Sequence, residues 1–180
     1  MRYLLFSTIL LTAIASNVAI MRVGRDHALT VSLHVAKTRS NIVIFRLLFG
    51  AATICFALWA YYWLYQNVTL GFIGTLTFIG IAGCFAGAAL IPHIPGTPGG
   101  EIHNFLAWGL VYLFPVAIAD IIIANADPIV RINGAITLFM LLLLLGGYIT
   151  VRSQRNYFLY YQIAYVTVFF AYMAMLSLYI

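Results

Sequence analysis

"IVIFRLLFGAATICFALWAYYWLY", residues 42–65, carries a single charge, Arg46, in 24 positions. A helix needs about 20 consecutive apolar residues to cross the hydrocarbon core of a bilayer, and a barrel strand needs only about 10, in alternation. This run is too long for a strand and does not alternate, so it predicts a membrane-spanning helix. Five further runs of the same kind cover residues 3–23, 70–91, 105–124, 129–151 and 157–180. The composition agrees: 64% of the 180 residues are hydrophobic and 7% are charged, against roughly 25% charged in soluble proteins. The expected fold is all-α, a polytopic integral membrane protein with six transmembrane helices in one bundle, forming one domain over residues 1–180.

The first run has features of a signal peptide: Arg2, an apolar stretch and a small-residue site at Ala13-Ile14-Ala15. Its apolar character continues to Val23, however, so we read it as an uncleaved first helix. Cys55 and Cys84 lie inside apolar runs with no Cys-x-x-Cys pair, which suits packing rather than thiol exchange.

Basic residues are unevenly shared between the two ends of the bundle. Arg22, Arg25, Lys37, Arg39, Arg46, Arg152 and Arg155 fall at loops 1 and 5, and only Arg2 and Arg131 at the other end. The positive-inside rule then makes loops 1, 3 and 5 cytoplasmic, in a plasma or inner membrane, with both termini outside. The net charge of +5 lies beside membrane segments, where each base is worth about 1 kcal/mol against anionic headgroups. It implies lipid partners rather than nucleic acid. Clusters of aromatics at 59–65 and 157–161 read as interfacial belts. In the third run Gly71, Gly74, Gly80, Gly83 and Gly87 predict close helix packing, with Gly83 and Gly87 on one face and this helix central in the bundle.

Polar residues inside a span are the first functional candidates in lipid. Asp120, one turn after Pro115, is the strongest; it suggests either a structural carboxylate or a proton or cation site in a small transporter. It lies 17 residues from His103, or about 25 Å along a helix, so the two cannot share a site.

The loop-1 and loop-3 end is richer. "PHIPGTPGGEIHN", residues 92–104, supplies His93, Glu101 and His103, and loop 1 supplies Asp26, His27, Ser32 and His34. Ser32, His103 and Glu101 are the candidate catalytic residues, through a histidine base or a metal-activated water. His93 and His103 are candidate zinc ligands beside a carboxylate, although their nine-residue separation gives no helical ligand pair. In loop 1, "ALTVSLHVAK" fits either a short interfacial helix or an extended flap.

Several chemistries are excluded. Lys37 is the only lysine and lies in a loop, so no span can hold a retinal Schiff base. No histidine lies mid-helix for a haem, and there is no phosphate-binding glycine loop or Gly-x-Ser-x-Gly elbow.

The ordered set "TVSLHVAKTRSNIVIFR" (30–46), "GAALIPHIP" (87–95), "HN" (103–104) and "YYQIAYVTVFFAYMAM" (160–175) resembles the bacterial and archaeal six-helix membrane family catalogued as domain of unknown function 998. It is distantly similar to the eukaryotic Frag/DRAM group, which includes proteins linked to remodelling of lipid anchors. The resemblance implies that Ser32, Pro92, His103 and Gln162 carry the family's polar positions. The acidic residue that often follows the serine is absent, and His93 stands where an aspartate or cysteine is common, so Glu101 would have to supply an acid. The expected function is binding or modification of membrane lipid at loops 1 and 3. Ser32, His34, His93, Glu101, His103 and Gln162 would form the site, with Arg39, Arg152 and Arg155 attracting phosphate. Alternatives are a transporter-like or structural subunit of a membrane complex, or a homo-oligomer.

Overall fold

The computed structural model describes residues 1–151 and 156–180. Six helices are long and apolar enough to cross a membrane: α1 Tyr3–Val23, α3 Arg39–Asn67, α4 Phe72–Leu90, α5 Pro98–Ala124, α6 Pro128–Thr150 and α7 Phe158–Tyr179. A short helix, α2 Val31–Ala36, lies in the first loop. There is no strand among the described residues.

Capping explains the limits. Thr30, Thr38 and Thr97 accept hydrogen bonds from the backbone N–H groups of Leu33, Asn41 and Gly100, and so open α2, α3 and α5. Asp127 does the same for Ile129 and Val130 ahead of Pro128 at the start of α6. The Thr97 cap moves the start of α5 from the expected residue 105 to Pro98, so Glu101 and His103 lie on a helix rather than in a loop. Gly100 permits this tight entry, because a Cβ there would collide with the Ile94 carbonyl. In loop 1 the Thr30 cap selects the helix over the flap, and Val31, His34 and Val35 form its buried face.

Each span packs mainly on the next in sequence, α1 on α3, then α4, α5, α6 and α7, and α7 touches α1 lightly to close the ring. This arrangement corrects the expectation that α4 is the central helix. Its glycines Gly71, Gly74, Gly80 and Gly87 face α5, where added Cβ atoms would meet Asp120, Leu113 and Leu106, but Gly83 faces open space. The middle of the ring is filled by aromatic rings. Phe56 of α3 packs edge-on to Phe85 of α4 at 5.4 Å, Phe85 stacks on Phe170 of α7 at 6.1 Å, and Phe114 of α5 stacks on Phe169 at 3.8 Å. A single π-helical turn at Ala60–Leu64 turns Trp63 and Leu64 inward and leaves Tyr61 and Tyr62 outside, so only part of the expected aromatic belt faces outward.

Candidate functional site

Ser32 is the second residue of α2, and His103 is in the second turn of α5. The Ser32 Oγ lies 2.9 Å from His103 Nε2. The other ring nitrogen, Nδ1, lies 2.6 Å from the carbonyl oxygen of Ile91, at the C-terminal end of α4. A carbonyl can only accept, so Nδ1 carries the proton and Nε2 is left to accept from the serine hydroxyl. Base, hydroxyl and orienting acceptor thus stand in the order of a serine nucleophile site, with a backbone carbonyl where such sites often have a carboxylate. Only 3% of the His103 surface is exposed, so the ring cannot easily leave this arrangement.

The Ile91 carbonyl is available for a physical reason. Pro92 ends α4, and Pro95 and Pro98 stop the chain from continuing as a helix, so the last carbonyls of α4 need partners outside it. His103 supplies one of them.

Gln162, in the second turn of α7, completes the cluster. Its Oε1 accepts a hydrogen bond of 2.9 Å from the backbone N–H of Val31, the first residue of α2. Leu159 N–H donates to the His27 carbonyl at 3.1 Å, and the His27 and Tyr160 rings stack at 5.0 Å. The first tie joins the Ser32 helix to α7, and the other two hold the loop ahead of it, at His27, against the same helix.

Two apolar cavities meet at this cluster. The larger, about 380 Å³, runs among α1, α3, α4 and α7; the smaller, about 130 Å³, runs among α5, α6 and α7. Ser32, His103 and Gln162 line both. Along the larger cavity Ala13 and Asn17 of α1 and Ile163, Thr167 and Ala171 of α7 are exposed. Exposed residues on both walls mean that the cavity opens sideways between α1 and α7. A narrow crevice joins Ser32 and His103 to the exposed Arg46.

Other expected site residues fall elsewhere. Glu101 is exposed and two residues from His103, about 200° around the helix; the acid position it was expected to fill is taken by the Ile91 carbonyl. His34 is fully buried: its Nδ1 donates to the Thr30 carbonyl at 2.8 Å and its Nε2 accepts from Asp26 N–H at 3.1 Å. It closes the hairpin entering α2, so both ring nitrogens serve the loop rather than the cavities. His93 lines the smaller cavity and stacks on His103 at 5.3 Å and 11°. Parallel rings do not point two nitrogens at one ion, and both His103 nitrogens are already engaged, so the pair does not suit zinc. No group of three or more metal-capable side chains occurs among the described residues. Arg39 is exposed at the start of α3; Arg152 and Arg155 lie outside the described residues.

Asp120 is at the opposite end of the bundle. Its carboxylate accepts from Gly71 N–H at 2.8 Å, at the N-terminus of α4, where the helix dipole also favours a negative group. Asn125 pairs with both backbone groups of Thr69, and Tyr179 donates to Asp127. The polar residues of that end join loops to helix ends.

Sequence reasoning undervalued Tyr165. Proline at 115 has no N–H for the Val111 carbonyl, and the Tyr165 hydroxyl donates to that oxygen at 2.6 Å. The intrahelical proline and a buried tyrosine on another span were the available signal. No protein-family profile, curated protein or solved structure matches this chain.

Proposed function

We propose that the protein binds a membrane lipid in the cavities around Ser32 and His103 and carries out acyl transfer from a lipid ester to Ser32. The observation that carries this reading is a buried Ser–His–carbonyl relay placed where two apolar cavities join. An apolar chamber with a few convergent polar groups is the usual form of a small-molecule site. A chamber that opens sideways between two spans suits a ligand delivered from the bilayer. Lys37, Arg39 and the exposed Arg46 stand near the same end and suit an anionic headgroup. The excess of basic residues supports a cytoplasmic position for this end.

In the reaction, Ser32 Oγ attacks the ester carbonyl carbon as its proton passes to His103 Nε2. The carbon–oxygen bond to the alcohol then breaks, and the alcohol leaves with the proton from Nε2. An acyl-serine remains, and water or a second alcohol releases the acyl group by the same steps in reverse. The Ile91 carbonyl holds the ring in the tautomer that accepts the serine proton and steadies the imidazolium while it carries that proton.

The test is labelling of the intact protein in membranes with an alkyl fluorophosphonate, mapped by mass spectrometry. We expect modification at Ser32, none at that peptide in Ser32→Ala, and a rate at least about 100-fold lower in His103→Ala. Labelling that is absent, or unchanged by His103→Ala, sinks the catalytic reading.

A further inference from the structure

The side chain of Gln162 has a feature that its tethering role leaves unused. Its Oε1 is fixed on the Val31 N–H. Because that partner is a donor, the amide orientation is determined: oxygen toward α2, and the NH2 group turned away from it. No hydrogen-bond partner for this NH2 occurs among the described residues, and Gln162 borders both cavities together with Ser32 and His103. The site therefore presents one hydroxyl, one ring nitrogen already committed to it, and one amide donor with nothing to bind.

An ester carbonyl is an acceptor with no proton of its own, and it is the group that would stand beside Ser32 if the reading above holds. The apolar space divides at the same point. One branch runs past Val166 and Phe170 toward the opening between α1 and α7; the other runs past Trp108, Leu145 and Tyr148 between α5 and α6. A single-chain amphiphile would fill only one branch. We propose that the ligand is a two-chain ester lipid whose carbonyl is held by the Gln162 amide, with one chain in each branch. The inference rests on the proposed lipid site but concerns recognition rather than nucleophilic attack. In the transition state the same amide would meet the oxygen as it gains negative charge, as a donor in an oxyanion site does.

The experiment compares lipids retained by the protein in native mass spectrometry, in a Ser32→Ala background so that nothing turns over. The probes are a diacyl glycerophospholipid, its dialkyl ether analogue lacking carbonyls, and the corresponding one-chain lysolipid. The diacyl ester should be retained about fivefold better than the ether, the worth of one neutral hydrogen bond. Gln162→Glu keeps an oxygen for the Val31 N–H but loses the NH2 donor, so α2 stays tethered and the ratio should fall to about one. Gln162→Met should give the same ratio if it folds. Leu145→Trp, which fills the smaller branch, should weaken diacyl retention and leave the lysolipid unaffected. Equal retention of ester and ether, or a preference that survives Gln162→Glu, overturns the carbonyl assignment. Equal effects of Leu145→Trp on one- and two-chain lipids overturn the two-branch assignment. Fluorophosphonate labelling is read on the protein with Ser32 and Gln162 intact, so no ester preference beside normal labelling, or a clear preference without labelling, shows which proposal has failed.

Discussion

His93 and His103 lie face to face, yet their surroundings set them different tasks. His103 has both nitrogens bonded, whereas His93 has one face on a neighbouring ring and the other toward the cavity. Loss of water around His93 pushes its pKa below the ordinary 6.5. Between the folded and unfolded pKa values the unfolded chain therefore holds more protons, so stability rises with pH. The His93 contribution is complete above the unfolded value of 6.5 and is lost as the pH falls from there through the lower folded value. We expect the thermal midpoint to rise from about pH 5 to pH 7 and His93→Gln to flatten that rise. An unchanged slope in the variant would assign the effect to other groups. At this scale residue type could bring Ser32 and His103 forward, and Gln162 came forward only through the family resemblance. The sequence could not reveal that a main-chain carbonyl, rather than Glu101, would orient the histidine, because every residue has a carbonyl and only the fold determines which is orphaned. His34 was ambiguous for a similar reason, since both its partners are backbone groups of its own loop.

The α4–α5 pair shows how helices are matched over their length. Gly71 and Gly74 leave room for the Asp120 carboxylate at one end, and Gly87 leaves room for Leu106 near the other. A Cβ at Gly74 would overlap the carboxylate. Gly74→Ala should therefore cost about 1–3 kcal/mol by overpacking. Asp120→Ala should cost about 1–3 kcal/mol by leaving the Gly71 N–H unpaired. Combined, they should cost less than the sum, because the added methyl enters space the carboxylate has left. Denaturation in detergent micelles measures all three variants, and strict additivity would refute the shared space. The helical extents were legible from apolar run lengths to within a few residues, except at α5, where capping by Thr97 overrode the polarity of residues 98–104. The glycine stripe was legible as a packing face, but which glycines face α5 depends on helix rotation, which composition does not encode.

The whole molecule is a ring of six helices with a tight circuit from α1 to α7 and a loose join between those two. The aromatic rings of α3, α4, α5 and α7 fill its centre, which separates the Ser32 end from the Asp120 end and favours a lateral route for ligands over a route through the bundle. Ala13 lies at the loose join and borders the larger cavity. Ala13→Trp should narrow the opening and slow alkyl fluorophosphonate labelling of Ser32 severalfold, with little change for a short-chain phosphonate. Equal slowing of both reagents would mean that entry is elsewhere. That six spans form one bundle was readable from hydropathy alone; the gap between the first and last was not, because apolar faces turned toward lipid and toward protein look alike in sequence.

The tie between Gln162 and Val31 joins the last of the six spans to the loop after the first. During synthesis the membrane receives α1 well before α7, so for most of that time Ser32 stands on a short helix that packs on α1 and α3 but lacks its tie to Gln162. His103 and the Ile91 carbonyl arrive in between, and the bond from Val31 to Gln162 is added only when α7 docks. The full polar centre thus needs the full ring: Ser32, His103 and the Ile91 carbonyl are present before α7 is made, and Gln162 joins them only with it.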